Sequence, residues 1–224
     1  MWSPMMALNR SALLLGFGLL FGAVPAWAEK LPAPAAAFSA SQQLTVDGVA
    51  LSARLFHDKG IERRESRIDG LNNLLIIRPD QGEALVVQPE SNMGMKLPLT
   101  DPEVGAVASN LAQLSGTPEG TETLAGEMVT RYRVQDITPD GAGFDGRVWA
   151  TRDGIYVKLE GMTGGEGAAR IAMTLTDIRR GVQDPALFTP PPGLSIMTLD
   201  PMEGRVPPAF LVDQEKAAKE GAKK

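Results

Sequence analysis

The 224 residues carry 22 Lys and Arg against 27 Asp and Glu, a formal net charge of −5 at pH 7, with 43% hydrophobic residues and no Cys. That length suits one domain with a core of its own. The mildly acidic balance, without a basic cluster, argues against nucleic acid as a partner, and the lack of Cys removes disulfides, thiolate metal sites and cysteine nucleophiles together.

Residues 1–28 read as a signal peptide. Arg10 is their only charge, an apolar run spans Ala12 to Val24, and Ala26-Trp27-Ala28 has the small-x-small form of a cleavage site, with the cut expected after Ala28. An uncleaved anchor is the competing reading, but Gly16, Gly18, Gly22 and Pro25 interrupt a run already short for the ~20 residues of a span. The expectation is a periplasmic protein without a stable transmembrane anchor after processing. Removing Arg10 takes the charge from −5 to −6.

Residues 29–36, EKLPAPAA, read as an extended Pro/Ala linker that packs little, and 37–199 as a single β domain. Phe38 to Val46 is a strand pattern entering Asp47-Gly48, a two-residue hairpin signal. Val49 to Asp58 alternates, with Val49, Leu51, Ala53 and Leu55 on one face and His57, the only His, in register with them. Ile61 to Asp69 is polar almost throughout, which predicts an edge strand or one wet on both faces.

Asn73 to Leu99 organises the rest. Leu74–Ile77 and Ala84–Val87 flank the turn Arg78-Pro79-Asp80-Gln81-Gly82-Glu83, and Met93–Leu97 follows Pro89-Glu90-Ser91-Asn92, so a three-strand antiparallel meander is expected. Strands apolar on both faces must be covered twice, by a core on one side and by a helix, a second sheet or an apolar ligand on the other. Thr100 or Asp101 can cap a helix with Pro102 in its first turn, and Val104, Val107, Ala108, Leu111 and Leu114 recur at helical spacing until Gly116.

After a Gly/Thr-rich link come strands at Glu127 to Ile137, Arg147 to Thr151, Ile155 to Glu160 and Arg170 to Ile178. Asp184 to Phe188 is a short turn, Pro190-Pro191-Pro192-Gly193 ends regular structure, and 200–224 is a flexible charged tail. The fold class is mainly β with few helices: a strongly bent antiparallel sheet of nine to eleven strands, an incomplete β-barrel, with a helix over its concave face.

Candidate chemistry is thin. His57 has no second His or Cys to share a metal with, and the carboxylate pairs Glu62/Glu65 and Asp136/Asp140 sit in polar strands and turns where solvated charge is the ordinary reading. Gly164-Gly165-Glu166-Gly167 lacks the setting and the Lys of a phosphate loop. Met93 and Met95 could offer two thioethers to Cu(I), but suit an apolar cavity mouth better. No enzyme and no cofactor are expected.

In order along the chain, the hairpin Phe38 to Asp58, Ile76-Ile77-Arg78-Pro79-Asp80, the Met93 to Leu99 segment, GEMVTRYRV (126–134), GRVWATRD (146–153), IYVKLEG (155–161) and the closing 185–193 segment resemble the periplasmic lipoprotein-localisation-factor (LolA/LolB-like) superfamily, in particular its uncharacterised outer-membrane lipoprotein-sorting-like exported proteins. The resemblance spans about Phe38 to Gly193 and implies an incomplete antiparallel β-barrel, lidded by helices, that encloses a hydrophobic cavity for acyl chains. Two functions follow. One is lipid binding by a soluble periplasmic protein that holds a lipid or acyl-bearing ligand against Leu51, Leu55, Leu75, Ile77, Leu85, Val87, Met93 and Met95. The other is a protein-binding envelope module, for stress sensing or assembly, with a closed core and its information on an exposed edge or in the basic strand Arg63-Arg64-Arg67.

Overall fold

A computed structural model describes residues 27–99, 113–137, 143–164 and 168–198. The signal peptide apart from Trp27 and Ala28, the helix expected from Pro102 except for its last residues, and the tail expected at 200–224 lie outside these residues. Among the described residues thirteen strands are formed: β1 (Glu29–Lys30), β2 (Phe38–Val46), β3 (Val49–Asp58), β4 (Ile61–Ile68), β5 (Leu71–Arg78), β6 (Glu83–Gln88), β7 (Met93–Pro98), β8 (Ser115–Leu124), β9 (Glu127–Ile137), β10 (Gly143–Ala150), β11 (Tyr156–Thr163), β12 (Arg170–Arg180) and β13 (Ser195–Thr198). All belong to one sheet, ordered β1-β8-β9-β10-β11-β12-β2-β3-β4-β5-β6-β7-β13. β1 and β13 each have one neighbour, so the sheet is open and not closed into a barrel. It is mixed, because β13 runs parallel to β7 while the other pairings are antiparallel.

Turn chemistry explains the long antiparallel run. Asp47-Gly48, Lys59-Gly60, Asp69-Gly70 and Ala125-Gly126 all have positive φ at both residues, the backbone that matches strand twist in two-residue hairpins. Asp69-Gly70 therefore starts β5 at Leu71, three residues earlier than its apolar run suggests. Short 3-10 turns, Pro79–Gln81 ending at left-handed Gly82 and Pro89–Ser91 ending at left-handed Asn92, join β5 to β6 and β6 to β7.

Register assigns every side chain to a face. One row across the sheet reads Ala40, Leu55, Arg64, Leu75, Val86, Met95, Met197; its neighbour reads Phe38, His57, Glu62, Ile77, Ala84, Leu97. This core face also holds Leu44, Met173, Leu159, Val148, Tyr132 and Val134, all buried in one cluster. At roughly 25 cal/mol per Å² of apolar surface, this burial is the main source of stability in a chain without disulfides.

Segment 29–36 does not behave as the loose linker its composition suggests. Leu31 is buried against Gly116 and donates its N–H to Leu114 O at 3.0 Å; Tyr156 donates its hydroxyl to Pro32 O at 2.7 Å; Ala35 donates its N–H to Asp153 O at 3.0 Å. One leucine among prolines and alanines is enough to anchor the run, and burial pushes the Tyr156 phenol well above its ordinary pKa.

Two elements were hidden in the sequence. β8, SGTPEGTETL, lacks apolar alternation and carries a register shift between Pro118 and Gly120; its ladder to β9 is accompanied by Glu119, which pairs with Arg131 and Arg147 at 3.0 Å each. β13 follows the triple proline at which regular structure was expected to end. Strand β4 lies between β3 and β5, not at an edge, and most of its residues are half-buried.

Between β10 and β11 the main chains approach so closely that only glycine fits. Gly146 pairs with Gly161, a Cβ on either would fall on the carbonyl oxygen of Glu160 or Asp145, and the Phe144 ring covers both. Gly161→Ala should therefore destabilise the fold by about 1–3 kcal/mol, read as a lower thermal midpoint, whereas Gly48→Ala, with open space around it, should cost only its backbone strain.

Arg180 ties three turns together, donating to Glu127 at 2.8 Å through both terminal nitrogens and to Asp153 at 2.7 and 3.2 Å. Its guanidinium holds the Asp153 carboxyl at about 2, down from 3.8, helped by the Thr151 hydroxyl at 2.6 Å. Because the folded pKa lies below the unfolded one, the contribution is present above pH ~4 and fades as pH falls through about 2. Urea midpoints of the wild type and Asp153→Asn should differ at pH 6 and converge near pH 2; a gap that persists at pH 2 contradicts this linkage.

Candidate functional site

The doubly apolar meander β5–β7 is the place where function was expected, and its two faces are covered differently. On the face opposite the core, Leu74, Ile76, Leu85 and Val87 form a buried cluster with Ile61 and Leu194. The chain after β12 reaches this face through a 3-10 turn at Pro185–Phe188, capped by Asp184, whose carboxylate accepts the Ala186 N–H, and continues past Leu194 into β13. Residues 184–194 thus form a strap over β4–β7, and 195–198 join the sheet as β13.

Two arginines hold the strap by its main chain. Arg63 donates to Leu187 O at 2.7 Å and Arg78 to Phe188 O at 3.0 Å, with side chains only 12% and 19% exposed. Such poorly solvated cations need counter-charges. Arg63 has Glu65 at 2.7 Å, and Arg78 has Glu83 at 3.2 Å, which also pairs with Lys96 at 2.9 Å. Lys96 above all, and Arg78 after it, hold the Glu83 carboxyl below its usual pKa against the opposing effect of burial.

On the core face, Ile77, Ala84, Val86 and Leu97 are buried in a cluster of their own, flanked by half-buried Leu75, Met95 and Leu99. It is separate from the main cluster because β4 intervenes. Arg64 lies in the row between Leu55 and Leu75, Glu62 between His57 and Ile77, and the two form an ion pair. Met93 and Met197 continue the face towards the sheet edge and are 46% and 47% exposed.

Of the residues expected to line a cavity, Leu51, Leu55, Leu75, Ile77, Met93 and Met95 share the core face, with Leu51 and Leu55 belonging to the main cluster. Leu85 and Val87 do not join them: they lie on the opposite face under the strap, and Ala84 and Val86 occupy the core-face positions on β6. The signal that fixes this parity was present. Arg78 and Glu83 flank the turn, are directly paired, and set the alternation of both strands.

The remaining candidates are structural in their contacts. His57 is buried, tilted against Phe38 with ring centroids 5.4 Å apart, and its Nδ1 lies 3.0 Å from Ala36 O. Glu62 and Glu65 lie on opposite faces of β4, and Asp136 accepts the Ser115 N–H at 3.0 Å; Asp140 is outside the described residues. Arg63 and Arg64 also point to opposite faces, so Arg63-Arg64-Arg67 is not one basic patch. Among the described residues no three His, Asp or Glu side chains come together as a metal site, and no helix is long and apolar enough to cross a membrane.

No family model matches the chain, and no curated protein matches it. Solved structures give distant likenesses. An uncharacterised conserved protein from Thermus thermophilus is 14% identical with a TM-score of 0.48, covering 74% of this chain and 91% of that one. MucB, in the Pseudomonas aeruginosa MucA/MucB complex, is 14% identical with a TM-score of 0.45, covering 74% of this chain and 59% of MucB's length. A putative outer-membrane lipoprotein-sorting protein domain from Vibrio parahaemolyticus is 10% identical with a TM-score of 0.32, covering 68% and 89%.

Replacing the strap's two clamps tests their role. Arg63→Met with Arg78→Met removes two hydrogen bonds from charged donors, each worth about 1.5–3 kcal/mol, and should expose 184–198 to limited proteolysis well below the temperature of global unfolding.

Proposed function

We propose that this is an exported, periplasmic binding protein for a lipid or another acyl-bearing ligand, which it holds on the core face of β5–β7. The observation that carries the reading is the second apolar cluster on that face. Leu75, Ile77, Val86, Met95 and Leu97 are separated from the main core by the Arg64–Glu62 pair, so they are not needed to close that core. The face remains apolar outward through half-buried Leu75 and Met95 to exposed Met93 and Met197. An acyl chain laid along Leu75, Met95, Met93 and Met197 would gain on the order of 25 cal/mol per Å² of surface removed from water, with the already buried Ile77, Val86 and Leu97 beneath, and the thioethers adapt to its shape.

The test is native mass spectrometry of the mature chain, Glu29 to Lys224, purified from periplasm without detergent. A stoichiometric lipid-sized adduct is expected. It should be lost in Leu75→Lys, whose half-buried position tolerates a snorkelling side chain, and kept in Met128→Lys on an exposed site of β9. A clean apo mass that persists after incubation with vesicles of envelope phospholipid would refute the reading. The alternative, a protein-binding envelope module, is favoured by a different observation at the end of the sheet.

A further inference from the structure

The two ends of the open sheet are chemically unlike. At one end β1 pairs only with Ser115 and Gly116, leaving the rest of β8 as an edge. That edge carries Pro118, which has no N–H to offer, a register shift between Pro118 and Gly120, and the carboxylates of Glu119 and Glu122. Proline, bulges and charge are the devices by which edge strands avoid pairing with other chains. The other end carries none of them. β13 reads Ser-Ile-Met-Thr, uncharged, with every residue exposed.

Among the described residues β13 has no neighbour on its other side, and the groups on that side can be specified atom by atom. Ser195 donates its N–H to Asn92 O at 2.9 Å, and the parallel register runs Ser195–Met93, Ile196–Gly94, Met197–Met95, Thr198–Lys96. In an extended strand the main-chain groups alternate in direction, so the N–H and C=O of Ile196 and the N–H of Thr198 point away from β7. Beside them stand two apolar side chains, Ile196 at 44% and Met197 at 47% exposure, one on each face of the sheet. Ile196 lies over Gly94, where a Cβ would stand 3.4 Å from its Cγ1, about van der Waals distance.

We propose that β13 is a docking edge for an extended segment of another protein, which adds as a further strand and places uncharged, apolar residues beside Ile196 and Met197. A second copy of this chain is a poorer occupant. Four residues from each copy fall far short of the ~1,000 Å² that a specific protein–protein interface needs, whereas an extended segment binds weakly and reversibly through main-chain hydrogen bonds and alternate side chains. The apolar pair sets its chemistry: charge on the incoming strand at these positions would be desolvated without a partner. Met197 lies at the outer end of the proposed ligand surface, whereas Ile196 faces away from it, so Ile196 is the residue that separates this inference from the acyl-binding reading.

The test places a photo-crosslinking amino acid at Thr198 in the full chain, expressed in the bacterium that makes it. The expected adduct is a different protein, joined through an uncharged apolar segment that mass spectrometry identifies. A synthetic peptide of that segment, added to the purified mature chain, should slow hydrogen exchange at Ile196 and Thr198 by about ten-fold or more, with no such change in β8. Ile196→Lys and, as a second variant on the other face, Met197→Lys should each weaken the peptide by about ten-fold or more, with Ser195 still protected as proof that β13 remains on β7. Adducts solely between two copies, or solely with residues 199–224 of the same chain, overturn the proposal, as does a peptide that protects amides elsewhere. The lipid adduct should survive Ile196→Lys, so the two ideas fail separately.

Discussion

A strand that is apolar on both faces cannot stand at the surface of a protein, and β5 and β6 impose this constraint on everything around them. Leu74, Ile76, Leu85 and Val87 on one face and Ile77, Ala84, Val86 and Leu97 on the other both lie among the buried residues. The first set accounts for the path of the chain after β12. It must turn at Pro185–Phe188, cross four strands, deliver Leu194 to the cluster and arrive beside β7 in the same direction as β7. The parallel pairing of β13 with β7 is thus a consequence of covering that face.

Covering it with irregular chain raises a second problem, because carbonyls in a strap have no ladder to join and cannot be buried unpaired. The polar strand β4 is the solution. Its alternation sends Arg63 and Glu65 to the strap face and Glu62 and Arg64 to the core face, so each face receives a cation with its counter-charge already beside it. Arg63 and Arg78 then have donors to spare for Leu187 O and Phe188 O. On the core face the same strand divides the apolar surface into two clusters. A strand that looks like an edge in composition is therefore a divider in the middle of the sheet.

Most of the strands were legible because period-two alternation and Gly-containing turns act locally. Phe38–Val46, Val49–Asp58 and Glu127–Ile137 have the bounds that their patterns suggest. What was not legible depended on partners distant in sequence. β8 has no apolar face to advertise, β13 is too short to show a period, and β4 is compatible with an edge until its neighbours are known. Leu31 gives no hint of burial, since one leucine has no period at all. For the candidate site, the identity of the meander was clear, but the faces of Leu85 and Val87 required strand register, which the apolar run hides and only the Arg78–Glu83 pair reveals.

The two edges of the open sheet are chemically unlike. To close, β8 would have to pair with β13, and a closed barrel needs an unbroken ladder of matched donors and acceptors between its first and last strands. β8 cannot supply one: Pro118 lacks an N–H, the register slips before Gly120, and β1 already occupies Ser115 and Gly116. Among the described residues no strand lies against the outward groups of Ile196 and Thr198. Among the described residues thirteen strands in one sheet thus leave one blunted end and one end without charge, proline or bulge.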